Sequence, residues 1–230
     1  MASDELVIIQ IILSIAISVG GGTFLGFYLS QYSRKVEEKE IIKKTKKLLS
    51  KDFSEISKLV VIQAFYQKKL IFNIDEIAPK IVSGEFDYSI NLTPVYIRRY
   101  PFVFWNAIVS STSLIKLKID EIQKTQRVHD LIESHNEHVI KERDDFLHRL
   151  MNYLNSNDDD IEKAKVIKTV TVNVVLESLL NEYYMYKQIL SLETLDWITI
   201  EHSPEMEKFP FSEEEIQEIR TNADNEAKAI

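Results

Sequence analysis

The sequence predicts an all-α protein, with an N-terminal single transmembrane helix followed by a cytoplasmic antiparallel bundle of long helices. Three observations carry that expectation. Leu6 to Leu29 is a run of 24 residues without a charge, and Phe102 to Ser203 is a run of 102 residues without glycine or proline. Over most of the remainder, apolar side chains recur at spacings of three and four, the period of an amphipathic helix. Glycine and proline punctuate structure, so their absence favours long uninterrupted elements. Four of the five glycines (Gly20, Gly21, Gly22 and Gly26) lie in the first 30 residues, and only Gly84 follows. That distribution excludes turn-rich β-folds and the phosphate loops of Rossmann and P-loop enzymes, which need glycine. With 45% hydrophobic and 28% charged residues, the 230-residue chain is not a disordered one either.

Residues 1–33 read as the anchor. A helix over the uncharged run reaches roughly 36 Å, more than the roughly 30 Å hydrocarbon core of a bilayer. A cleaved secretory leader would open on basic residues, whereas only Asp4 and Glu5 precede this run. Tyr28 and Tyr32 fall where an interfacial aromatic belt belongs. Ser14, Ser18, Gly22, Gly26 and Ser30 recur every four positions and include a Gly-x-x-x-Gly step. Such a ridge lets helix backbones approach closely in lipid, which predicts a homo-oligomer or association with another membrane protein.

Residues 34–72 form the basic juxtamembrane region and the first bundle helix. Arg34, Lys35, Lys39, Lys43, Lys44, Lys46, Lys47 and Lys51 stand against Glu37, Glu38 and Glu40. The positive-inside rule therefore places the short N-terminus outside the cell membrane and the rest in the cytoplasm, with the lysines on lipid headgroups. The net charge is −8, of which residues 1–33 hold −2 and residues 34–51 hold +5, leaving −11 for residues 52–230. A body so acidic is not expected to bind nucleic acid generally. From Lys39 to Phe72 one face carries Ile42, Leu49, Phe53, Ile56, Val60 and Ala64.

Residues 73–101 read as an aromatic-rich connecting loop, in which Asp75 caps a short helix ended by Gly84 and Pro94 and Pro101 bracket an extended piece. Tyr96, Arg98, Arg99, Tyr100 and Trp105 are candidates for a partner-recognition loop, and the alternative is a lid closing the end of the bundle. Residues 102–202 make the long-helix bundle. Its first helix, residues 105–153, shows a coiled-coil-like seam through Trp105, Ile108, Thr112, Ile115, Ile119, Ile122, Ile132, Val139, Arg143, Phe146, Leu150 and Tyr153. Gln126, His129 and Asn136 sit in that seam as polar groups able to set helix register. Asn155 to Asp160 supplies a break and an N-cap, and a second helix runs from about Asp160 to Leu192. Thr169 to Val175 alternates with period two like a strand, but lies within an apolar helical face continued by Leu179, Leu180, Tyr183, Tyr186 and Ile189. Residues 203–230 form an acidic tail in which Ser212 and Glu215 match a capping box. Its apolar stripe of Ile216, Ile219 and Ala223 is narrow, and fraying in solvent is its default.

No cofactor and no metal centre are expected. The His-rich patch of His129, Glu133, His135, Glu137, His138, Glu142 and His148 has no second Glu-x-x-His to complete a site, so it reads as a solvated charged face. Arg143-Asp-Asp-Phe-Leu-His148 resembles the Arg-polar-x-x-x-His signature of HEPN-domain ribonucleases, an all-helical, dimeric family often linked to antiphage defence. The resemblance covers six residues and the helical class. It implies metal-independent cleavage of RNA, with Arg143 and His148 as catalytic residues of a membrane-tethered enzyme. The reading preferred from the residues is a non-enzymatic, membrane-anchored interaction or scaffold module. The ribonuclease is its first alternative, and an accessory subunit of a larger membrane complex is its second.

Overall fold

The computed structural model describes residues 2–87, 99–201 and 209–228; side chains are described from Phe27 onward, except those of Val139, Ile140, Arg143 and residues 223–228. The chain divides into two compact units, Met1–Thr45 and Lys46–Ile230. All regular structure among the described residues is helical: α1 (Ala2–Val82), α2 (Trp105–Ser110), α3 (Ile119–Leu154), α4 (Asp160–Ser191) and α5 (Glu213–Lys228), with short 3₁₀ turns at Leu114–Lys116 and Leu192–Thr194.

Helix α1 is longer than its sequence pattern indicates. Its buried face runs Leu49, Phe53, Ile56, Val60, Ala64, Leu70, Ile74, Ala78 and Ile81, extending the predicted stripe by several turns while Ile42 is only half-buried. Each large side chain so buried contributes about 1.5–3 kcal/mol. Asp75 is therefore inside α1 rather than the cap of a separate helix, where it pairs with Lys168 at 2.9 Å. Pro79 lies inside α1, three residues before its end at Val82, where it removes one N–H from the helical ladder. Gly84, at φ +77°, closes it: the Gly84 N–H donates to Ile81 O and the Phe86 N–H to Lys80 O. A left-handed residue at this point favours glycine.

The long helix predicted over residues 105–153 is interrupted. Helix α2 lasts only six residues and gives way to a turn in which Thr112 takes φ +56°. The Ser110-Ser111-Thr112-Ser113 cluster explains the break, because such side chains offer the backbone hydrogen bonds outside a helix. Ser111 Oγ donates to Ile108 O, and the Ser113 N–H bonds the same carbonyl. Only at Ile119 does α3 begin, so Ile115 and Ile119 are 74% exposed and do not belong to a seam. In α4 the Thr/Val alternation is helical, with Val172, Val175, Leu176 and Leu179 buried on one face; tertiary packing overrides the β-propensity of the stretch. Asp159 caps it by accepting from the Glu162 N–H at 2.8 Å.

The bundle is not antiparallel throughout. Lys46 meets Glu121, and Asp52 meets Trp105, which stacks on His129, so α1 and α3 run in the same direction. Gln67 meets Glu182 while Asp75 meets Lys168, so α4 runs against α1. Trp105, ahead of α3, lies back beside Asp52 of α1, which permits this arrangement. The chain after α4 then lies along α1: Ser50 Oγ bonds both backbone groups of Thr199, Ser54 Oγ accepts from the Glu201 N–H, and Lys68 donates to Pro210 O. The described part of the acidic tail, residues 209–228, is docked on the bundle, where the narrow apolar stripe predicts a free segment. Helix α5 packs on α4, with Ile216 buried and Glu213 accepting from Tyr184 at 3.2 Å. Its capping box is formed, Ser212 N–H to Glu215 at 2.6 Å and Glu215 N–H to Ser212 at 3.2 Å.

Among the described residues no helix is long and apolar enough to cross a membrane. The predicted span, up to Gly26, lies outside the described side chains.

Candidate functional site

A polar layer crosses the middle of the Lys46–Ile230 unit. The fully buried Glu182 of α4 accepts from Gln67 Nε2 of α1 at 3.2 Å, from the Tyr100 hydroxyl at 3.3 Å and from Ser178 Oγ at 3.5 Å. Gln67 also donates to Ser178 at 2.9 Å. Burial pushes the Glu182 carboxyl up to about 8, and the three donors, which favour the charged form, offset only part of that. At neutral pH it is therefore a neutral acid, and its Oε2 has no hydrogen-bond partner among the described residues.

Tyr100, itself fully buried, is held from the other side by α3. Asn136 Oδ1 accepts the Tyr100 N–H at 2.8 Å and Asn136 Nδ2 donates to its carbonyl at 3.0 Å, while His135 stacks on the ring at 5.3 Å between centroids. Asn136 thus closes a two-point clamp on the connecting segment. It does not pair helix with helix as its seam position suggests. Asn136→Ala is expected to cost roughly 2 kcal/mol, because two buried backbone groups lose their partner. The check is the midpoint of chemical unfolding; an unchanged midpoint would show that the clamp contributes nothing.

Beside this layer a cavity of about 340 Å³ opens between α3 and α4, lined among others by His135, His138, Glu142, Asn181 and Tyr184. Burial, reinforced by the charge of His138, holds His135 down at about 4, so its imidazole is neutral at physiological pH. Its Nε2 is buried without a partner among the described residues. His138 Nδ1 lies 2.6 Å from Ser134 O. An adjoining cavity of about 300 Å³ shares Glu142 and Asn181 and adds Glu177 and Arg220. A third, about 410 Å³, lies between the end of α1 and the start of α4, against Ala78, Pro79, Val82 and Ile161. The first two are lined largely by hydrogen-bonding side chains. Among the described residues no group of three or more His, Asp or Glu side chains is placed to hold a metal ion.

Two more buried carboxylates fasten the connecting segment to the bundle. Asp52 accepts the N–H groups of Val103, Phe104 and Trp105 at 3.1, 2.9 and 3.0 Å, capping α2 from another helix. Burial pushes its carboxyl above the ordinary value, and the three amides, with Lys51 nearby, compensate only in part. Glu121 accepts from Lys46 Nζ at 2.7 Å, Trp197 Nε1 at 2.8 Å and the Lys118 N–H at 2.9 Å. Burial opposes its ionisation, yet Lys46, the Lys118 amide and Trp197 together hold it below the ordinary carboxylate value.

The predicted site residues scatter over these features. Tyr100 and Trp105 are core residues, and Trp105 stacks on His129 at 4.1 Å beside Phe53 and Phe102. Both side chains are buried within the unit, Arg99 is exposed, and Tyr96 and Arg98 lie outside the described residues. Among the basic residues, Arg34, Lys35, Lys39, Lys43, Lys44, Lys47 and Lys51 are exposed, whereas Lys46 is half-buried on Glu121 and over the Trp197 ring. Ser30 is exposed, and the side chains of Ser14, Ser18, Gly22 and Gly26 lie outside the described residues. His148 is exposed with Nδ1 3.1 Å from Asn152 Nδ2, and the Arg143 side chain is outside the described residues. Of the His-rich patch, His135, His138 and Glu142 share one cavity. Gln126 donates to Asp130 at 2.6 Å on its own helix.

The sequence pattern does not single out Glu182, Gln67 and Asp52, although a signal is present. Each stands three or four positions from buried apolar residues on its own helix (Leu179 and Tyr186, Ala64 and Leu70, Leu49 and Ile56), where a polar side chain must enter the core. Comparison with protein-family models, curated proteins and solved structures finds no match for this chain.

Proposed function

We propose that this protein is a non-enzymatic, single-pass membrane-anchored helical interaction module, with its bundle in the cytoplasm and its anchor, Leu6 to Leu29, self-associating through Ser14, Ser18, Gly22, Gly26 and Ser30. The observation that supports this most is the continuity of α1. One helix, Ala2–Val82, carries the uncharged run and then supplies the central core face of the bundle from Leu49 to Ile81. Pairing of the anchors would act on a helix that is also the main structural element of the cytoplasmic body. Three of the buried polar side chains are engaged structurally: Asp52 caps α2, Asn136 clamps Tyr100, and Glu121 joins α1, α3 and Trp197.

The test is a membrane reporter or crosslinking assay on the full chain. Gly22→Ile and Gly26→Ile together are expected to weaken association roughly tenfold or more, as bulky side chains separate close-packed helices in lipid. Unchanged association would remove the self-pairing. Incubation of the purified protein with RNA tests the enzymatic alternative: cleavage abolished by His148→Ala would overturn the non-enzymatic reading in favour of the ribonuclease.

A further inference from the structure

Three helices bring charges of both signs to one concavity. The cavity of about 300 Å³ is lined by Glu142 of α3, Glu177 of α4 and Arg220 of α5. It shares Glu142 and Asn181 with the cavity of about 340 Å³ beside the polar layer. Helical spacing accounts for the placement. His135, His138 and Glu142 stand at i, i+3 and i+7 on α3, and Glu177, Asn181 and Tyr184 at i, i+4 and i+7 on α4, so each set shares a face. Arg220 stands one turn beyond Ile216, whose burial fixes that side of α5 against α4.

Charge marks the cavity further. Arg220 is the only basic residue between Glu213 and Asn222, among Glu213, Glu214, Glu215 and Glu218. Glu142, Glu177 and Arg220 make no ion pair and no side-chain hydrogen bond among the described residues, although all three line one cavity. Two carboxylates that face a common concavity repel each other, and a cation placed between them relieves that repulsion. The guanidinium is a planar fork that matches a carboxylate. Asn181, also without a side-chain hydrogen bond among the described residues, adds a donor and an acceptor to the shared wall. Both volumes fall within the range of small-molecule sites, about 300–1,000 Å³.

We propose that this concavity binds a basic amino acid, with Arg220 on the ligand's carboxylate and Glu142 and Glu177 on its two cationic groups. One carboxylate and two cations on the ligand complement one guanidinium and two carboxylates on the protein, so each of the three side chains gains a partner. A dicarboxylate leaves the glutamates unpaired, and a diamine leaves Arg220 unpaired. The site goes beyond the anchored interaction module proposed above and does not depend on how the anchor associates. Bound ligand joins α3, α4 and α5.

Titration calorimetry on the full chain in detergent micelles, at about 0.15 M salt, tests the proposal. Lysine is compared with 1,5-diaminopentane, which lacks the carboxylate, and with norleucine, which lacks the side-chain ammonium. Expected is lysine binding at least about tenfold tighter than either, since each missing charge leaves an ion of the site without its partner. Arg220→Ala should weaken lysine about tenfold and leave diaminopentane unchanged, whereas Glu142→Gln with Glu177→Gln should weaken both. All three side chains are exposed, so these variants keep the core, and an unfolding midpoint equal to that of the parent checks it. Absence of binding by both lysine and arginine overturns the proposal. Lysine binding that the variants leave unchanged also overturns it, as loose attraction to the acidic body. Diaminopentane or norleucine bound as tightly as lysine overturns it as well, because one charged end of the ligand then goes unread. None of these results touches the anchor, which the Gly22 and Gly26 substitutions test separately.

Discussion

Glu182→Gln is expected to stabilise the protein above pH 8 and to flatten the alkaline limb of its stability profile. The folded-state value of Glu182, about 8, lies above the ordinary carboxyl value of 4.5. Between those values the folded chain holds a proton that the unfolded chain has released, so stability is fullest at the acid side and falls as the pH rises through the window. The whole excursion corresponds to roughly 3–5 kcal/mol. Glutamine keeps an oxygen to accept from Gln67, Tyr100 and Ser178 and cannot ionise, so the loss should vanish. His135 works in the opposite sense. Held at about 4 against 6.5, it stays neutral in the fold while the unfolded chain takes up a proton, so its contribution is lost as the pH falls from 6.5 toward 4. Thermal or chemical unfolding followed from acid to alkaline pH should therefore show a maximum on the mildly acidic side of neutrality. A variant whose alkaline limb matches that of the parent protein would show that Glu182 is not buried as a neutral acid.

Asp52→Ala is expected to produce a large loss of stability from a single side chain. Three backbone N–H groups at the start of α2 lose their common acceptor, two of them from the same carboxylate oxygen. An unsatisfied cap and partly buried amides together cost about 2–4 kcal/mol. For a unit of this size that lowers Tm by roughly 5–15 °C. Asp52→Asn should fall between the two: its single oxygen still accepts, and it removes a carboxyl whose ionisation burial already opposes. Amide exchange at Phe104 and Trp105 should quicken in the order parent, Asn, Ala. If all three proteins share one Tm, the carboxylate does not hold the connection.

Much of the fold is legible in the sequence because helical periodicity and the scarcity of glycine and proline are local signals. Leu49, Phe53, Ile56, Val60 and Ala64 are buried at the predicted spacing, and the capping groups Asp159 and Ser212 act where the break and tail require caps. The features that depart from the local pattern depend on partners distant in sequence. The seam from Trp105 to Ile119 has helical spacing, yet a capping carboxylate 53 residues away at Asp52 and a Ser/Thr cluster favour a short helix and a turn. Lys46 belongs by composition to a membrane-facing basic run, but Glu121, 75 residues on, draws it into the bundle. The narrow stripe of α5 is too weak to hold a helix by itself, and α4 provides Tyr184 and an apolar face to cover Ile216.

The sequence by itself determined the helical class, the uncharged N-terminal run, the basic stretch after it and the acidity of the body. Those properties are sums over neighbours or follow from a period of 3.6 residues, and need no knowledge of what lies across the core. Only the tertiary structure decided that α1 and α3 run in the same direction, that Tyr100 and Trp105 face inward, and that Glu182, Gln67, Tyr100, His135 and Asn136 form one layer. The reason is physical: a buried polar group is stable only with its partners, and those partners come from four separate segments whose meeting no local pattern encodes.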